Sequence, residues 1–107
     1  TFFEFTTALA FLHFTRERVD IAVIEVGMGG TLDATNVITP LVSIITNVGL
    51  DHTPLIGRNV SEISQNKAGI IKSGGLVVTA ERKPEILKIF NKVCKEKVCG
   101  RYYSSKH

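Results

Sequence analysis

Two short runs, VDIAVIEV from Val19 to Val26 and LVSIITNV from Leu41 to Val48, are rich in β-branched residues and nearly continuous in apolar ones. Runs of this length and kind suit strands buried on both faces of a parallel sheet, where neither side chain row meets water. Leu76 to Ala80 is a third expected strand. Between the second and third, Asn59 with Glu62 three residues on marks a helix start, Val60 to Ile71 continues it, and Ser73, Gly74 and Gly75 stop it. Parallel strands need such a crossover, so the expected fold class is α/β, a parallel sheet with flanking helices. Three strands make a small sheet for that architecture. Residues 1–107 therefore read as a single partial domain, part of something larger.

Thr1 and Glu4 have the spacing of a capping box, and Phe5, Ala8, Leu9 and Leu12 follow at helical spacing, so a helix is expected from the first residue to about Arg16. Phe2, Phe3, Phe11 and Phe14 widen its apolar surface, which implies cover on more than one side. A last amphipathic helix opens at Pro84 and sets Ile86, Ile89, Phe90, Val93 and Cys94 on one face before Gly100.

The net charge of +3 is unevenly placed: residues 1–80 carry five Lys or Arg against seven Asp or Glu, residues 81–107 eight against three. The basic tail has few interleaved aromatics, which argues for a solvated helix face and against nucleic acid. Cys94 and Cys99 have no second pair nearby, so neither a zinc site nor a disulfide framework is expected, and reduced thiols are. No apolar run is long enough to cross a bilayer and no signal peptide stands at residues 1–15, so no membrane partner and a cytoplasmic location are expected.

Ligands of open parallel sheets collect at the carboxyl ends of the strands. Glu25 stands at such an end, the one charge between Ile21 and Val26, directly before Gly27, Met28, Gly29 and Gly30. A carboxylate buried there needs a cation, a metal or hydrogen-bond donors, unless its side chain escapes at the strand end. The glycines permit a tight turn and close approach of a ligand, but Leu32 occupies the place of the last glycine of a dinucleotide fingerprint, and no GxxxxGK[ST] loop occurs. The second strand leads through Thr46 and Asn47 to Asp51 and His52. If the two strands are neighbours, Glu25 and His52 face one crevice and can share a divalent cation with phosphate oxygens; the rival reading is a turn before Pro54. Lys67 lies four residues after Ile63 and three and four before Ile70 and Ile71, with its stem on the inward helix face. It is either a snorkelling lysine or an amine set up to act as a base or to take up carbon dioxide as a carbamate.

Taken together, EVGMGGTLDATN from Glu25 to Asn36, ITNVGLDHT from Ile45 to Thr53, KAGIIK from Lys67 to Lys72 and TFFEF from Thr1 to Phe5 resemble the folylpolyglutamate synthase and dihydrofolate synthase family of Mur-type ligases. The resemblance covers about residues 1–80 and implies a partial P-loop-type central domain, the phosphate loop and the C-terminal domain lying elsewhere in the protein. It implies ATP-dependent amide formation: a folate or dihydropteroate carboxylate is phosphorylated, and the acyl phosphate is attacked by the amino group of L-glutamate. Carried over by motif, Glu25 and His52 would hold Mg2+ and Lys67 would be the carbamylated lysine near the transferred phosphate. Thr1, Phe2, Phe3 and Glu4, with Leu32, Asp33 and Ala34, would line the pterin pocket, and Asn36 and Asn47 would support the site from behind.

The sequence departs from the family pattern at Thr31, where a basic residue is usual, at Met28, where Leu is common, and at Ser64, Gln65 and Asn66, where a small residue and an acid are more usual. Two alternatives follow. One is another Mur-type ligase that adds an amino acid to a cell-wall precursor, against which the LDATN and KAGII pairing counts. The other is a non-catalytic docking module, against which the joint presence of Glu25, His52 and Lys67 counts.

Overall fold

In the computed structural model, residues 1–49 and 55–104 are described. The chain runs α1 (Phe2–Glu17), β1 (Val42–Ile45), α2 (Val60–Lys67), a 3-10 turn (Ala68–Ile70), β2 (Leu76–Thr79), α3 (Pro84–Glu96) and β3 (Arg101–Ser104). The strands form one parallel sheet in the order β1-β2-β3, with Val42 opposite Leu76 and Leu76 opposite Arg101. Each neighbouring pair is joined through a helix, and that repeated strand–helix–strand path is the architecture expected from the buried runs.

Local chemistry explains where the helices begin. Thr1 Oγ1 accepts from the Glu4 amide at 3.2 Å, and Asn59 Oδ1 accepts from the Glu62 amide at 2.9 Å, so both expected caps satisfy an otherwise orphaned donor. Pro84, which has no N–H to leave unpaired, opens α3. Ser43, Ile45, Val77 and Thr79 point to the buried side of the sheet, and Ile63, Ile71, Ile86, Phe90, Val93 and Cys94 close the core over them. The half-buried Tyr102 of β3 joins the core's margin, its hydroxyl buried without a partner among the described residues.

Three expectations are corrected. The run Val19–Val26 forms no strand: Ile21 is 81% and Val23 is 91% exposed, and the sheet neighbour of β1 is β2. Its β-branched composition records a preference for sheet, but a strand exists only where a partner supplies the ladder, and the described residues supply none. The third strand of the sheet is instead β3, in the basic tail. For the same reason α1 is not covered on several sides; only Thr7 of its sixteen residues is buried.

The cysteines are the third case. Cys94 and Cys99 are joined as a disulfide, their Cα atoms 5.2 Å apart, where thiols were expected. The turn after α3 brings them together: Val98 takes the left-handed conformation (φ 51°), and the Cys99 amide folds back to Cys94 O at 3.0 Å. None of the described helices is long and apolar enough to cross a membrane.

Candidate functional site

The glycine turn after Glu25 is built from inside. Gly29 has φ +68°, a conformation that favours glycine, and a Cβ placed on Gly30 would lie 2.6 Å from Asn66 O. Asp33 closes the turn: its Oδ1 accepts from the Met28 amide at 2.8 Å, and its Oδ2 accepts from the Thr35 amide at 3.0 Å and the Thr35 hydroxyl at 2.5 Å. Burial pushes the Asp33 carboxyl up, but these donors, with the Gly27 amide, outweigh it and hold it below the ordinary carboxylate range. The ring of Phe3 packs over Gly27, so the start of α1 meets the turn.

The end of α2 is stitched to that turn. Thr31 N–H donates to Asn66 O at 3.0 Å and to Asn66 Oδ1 at 3.2 Å, and its hydroxyl donates to Asn66 O at 3.0 Å. Asn66 Nδ2 donates to Ile56 O at 3.1 Å, tying in the loop between β1 and α2. Asn36 Nδ2 bridges Thr31 O at 3.1 Å and Gly69 O at 3.0 Å, and Lys72 Nζ donates to Asn36 O at 3.2 Å. A side chain on Gly69 would strike Thr31. Between these segments lies an open groove of about 470 Å³, lined by Thr31, Leu32, Ile56, Ser61, Glu62, Gln65 and Asn66.

At the carboxyl end of the sheet, Glu81 is only 3% exposed. Its Oε2 accepts from the Val48 amide at 2.6 Å, and its Oε1 from the Arg82 and Lys83 amides at 3.0 and 3.1 Å. The carboxylate thus ties the end of β2 to the chain leaving β1.

Of the expected site residues, Phe3, Asp33 and Lys67 come to one assembly through the turn and the end of α2. A Cβ on Gly30 would lie 3.1 Å from Lys67 Cα, and Lys67 itself is half-buried at the last position of α2. Thr1 and Glu4 act as the α1 cap, Phe2 is 85% and Leu32 is 93% exposed, and Ala34 is half-buried. Asp33 spends its oxygens on the turn rather than standing free. Glu25 is exposed, not buried in a strand, and has no hydrogen bond or ion pair among the described residues; the expected burial cost does not arise. His52 and Asp51 lie outside the described residues. Among the described residues no group of three or more His, Cys, Asp or Glu could hold a metal ion.

Sequence reasoning missed Asn66 and Glu81 as organisers. Glu81 carries the same signal that drew attention to Glu25, a carboxylate at the end of an apolar strand. Asn66 carried none except its difference from the family pattern.

The family model described as the Mur ligase middle domain matches residues 1–107. Folylpolyglutamate synthase of Lacticaseibacillus casei is 54% identical over 85 residues, 79% of this chain and 20% of that protein. Dihydrofolate synthase/folylpolyglutamate synthase of Bacillus subtilis is 47% identical over 90 residues, 83% of this chain and 21% of that protein. The chain thus spans about a fifth of the length of these relatives. A solved FPGS-AMPPCP-folate complex superposes with a TM-score of 0.89 at 46% identity, covering 94% of this chain and 25% of that one. Matched by the middle-domain model from its first residue to its last and folded like these neighbours, the chain belongs to the Mur ligase family.

Proposed function

We propose that these residues are part of the central ATP-binding domain of a ligase that adds L-glutamate to a folate or dihydropteroate carboxylate. The observation that carries the reading is the knitting of the glycine turn, the end of α2 and the loop after β1 into one assembly, in a chain so similar to a protein seen with AMPPCP and folate. The phosphate loop and a C-terminal domain belong to other segments of the full-length protein. ATP's γ-phosphoryl group passes to the substrate carboxylate, leaving ADP and an acyl phosphate. The amino group of glutamate then attacks the acyl carbon, phosphate departs, the amine loses a proton and an amide remains. Catalysis of such transfer is mostly positioning and neutralisation of developing charge.

Glu25 fits a hard divalent cation by donor chemistry: it is an exposed carboxylate with no competing partner among the described residues. With His52 it would hold Mg2+, which when bound would neutralise phosphate charge. Lys67, as a carbamate, would add an anionic oxygen donor beside the turn. Phe3 over Gly27 and the exposed Leu32 present apolar surface suited to the flat pterin, with Thr1, Phe2, Glu4 and Ala34 around them. Asp33 acts by holding the turn that presents Leu32, its own carboxylate being occupied. The test is phosphate release by the full-length protein, expected only with Mg2+, ATP, a folate acid and glutamate together. Glu25→Ala is expected to lower kcat by about 100-fold or more, and undiminished turnover would remove the metal assignment.

A further inference from the structure

Among the described residues, the Asn66 side chain hydrogen-bonds to both other segments of the assembly. Its amide oxygen accepts from Thr31 N–H on the glycine turn at 3.2 Å, while its amide nitrogen donates to Ile56 O on the loop after β1 at 3.1 Å. Its backbone carbonyl takes the Thr31 amide and hydroxyl, both at 3.0 Å. A side-chain amide offers an acceptor and a donor from two adjacent atoms, one for each neighbour; a carboxylate at this position meets Thr31 but faces the Ile56 carbonyl with no proton to give. Asn66 directly precedes Lys67, and Gly30 packs against the backbone of both.

We infer that Asn66 is a positioning residue, an amide latch that fixes the glycine turn bearing Glu25, the loop after β1 and Lys67 in one register. The latch explains why Gly30 and Gly69 have no room for a side chain: the turn is drawn onto the end of α2 until backbone meets backbone. What it positions rests on the ligase reading above, since Glu25 and Lys67 have their roles there. Residues that orient metal ligands from behind typically cost 10–100-fold in affinity or activity when removed, roughly the scale expected here.

The experiment uses the full-length protein with AMPPCP and reads Mn2+ binding by electron paramagnetic resonance, hydrogen exchange at the Thr31 amide, and kcat separately from KM. Asn66→Ala is expected to weaken Mn2+ binding and lower kcat by about 10-fold each, leave the KM for glutamate unchanged within about twofold, and speed Thr31 exchange only in part, since that amide keeps its bond to the backbone carbonyl of residue 66. Asn66→Asp keeps the Thr31 arm, so Thr31 exchange stays slow while kcat still falls. Should Asn66→Ala fail to fold, Asn66→Asp, which loses only the Ile56 arm, reads the latch, while Thr31→Val, which removes only the hydroxyl bond to the Asn66 backbone carbonyl, gives a smaller loss. Asn59→Ala removes the α2 cap and controls for helix stability alone; Mn2+ binding and kcat are expected to stay at parent values. Asn66→Ala with parent-like Mn2+ binding and kcat, or with losses matched by Asn59→Ala, overturns the latch. Glu25→Gln separates the two readings: if it loses Mn2+ while Asn66→Ala does not, only the latch falls. If it binds Mn2+ like the parent, the metal assignment falls and the latch's catalytic purpose falls with it.

Discussion

At the scale of single residues, Glu81 shows how a charge is kept inside chiefly by backbone amides. Burial pushes its carboxyl up, whereas the Val48, Lys83 and Arg82 amides and the nearby Lys83 charge pull it down, with the net below the ordinary carboxyl value. A carboxyl lowered in the folded state binds protons more readily unfolded. Its stabilisation is therefore present above the ordinary carboxylate value and is lost as pH falls through the folded one. Glu81→Gln puts an amide donor against backbone donors and is expected to destabilise the full-length protein by about 1–3 kcal/mol at pH 7. The gap should narrow as pH falls below the ordinary carboxyl value and close once the folded parent carboxylate also takes up a proton, at a lower pH still. Thermal unfolding across that range checks this, and a gap independent of pH would remove the charge from the account. Sequence makes such a carboxylate visible but not its partners. Glu25 and Glu81 both follow apolar strand-like runs, yet one is exposed and the other buried, the latter met by the Val48 amide from 33 residues away.

At the scale of elements, helix starts were legible and helix ends less so. Thr1, Asn59 and Pro84 act within one turn of themselves, so the spacing of a few letters states their role. Both α1 and α3, however, are followed by a non-glycine residue in the left-handed region, Arg18 and Val98, each with φ 51°. Nothing in their side chains announces that conformation; it is imposed by the fold-back of the next segment, Val19 N–H to Phe14 O and Cys99 N–H to Cys94 O. A β-branched residue there costs about 1–2 kcal/mol against its relaxed state. Val98→Gly is expected to relieve that strain, and after subtraction of glycine's extra freedom when unfolded, to raise stability by about 0.5–1 kcal/mol. Lys97→Gly, one residue earlier at φ −91°, has no strain to relieve and should lower stability by a similar amount. Opposite signs at adjacent positions in thermal unfolding would bear the assignment out; equal losses would refute it. The same distinction explains the missed strand. Val19–Val26 has the composition of β3's neighbours, but pairing is a property of position, and β3 gained it from the register Leu76 to Arg101 while Val19–Val26 did not.

At the scale of the whole molecule, the sheet has one dressed face and one bare one. α2 and α3 cover Ile45 and Val77, while Ile44 is 64%, Val42 41% and Val78 37% exposed on the other side. Phe2, Phe5 and Leu9 of α1 and Ile21 and Val23 beyond it are at least half exposed as well. The radius of gyration of 14.3 Å exceeds the roughly 13 Å of a compact chain this long. Single exposed hydrophobes are ordinary, but a sheet face with a phenylalanine-rich helix left bare is an interaction surface or an aggregation liability. Since relatives are about five times longer, the expected cover is other sequence of the full-length protein. Residues 1–107 prepared alone should therefore bind an apolar dye such as ANS strongly and associate at micromolar concentration, whereas the full-length protein should do neither. Replacing Ile44 and Val78 with Thr in the isolated piece should reduce both signals, because the bare face then carries hydroxyls. In the full-length protein the same pair should destabilise, since those positions become core. A dye-silent monomer from residues 1–107 would mean that the bare face needs no cover, and the partial-domain reading would fall with it.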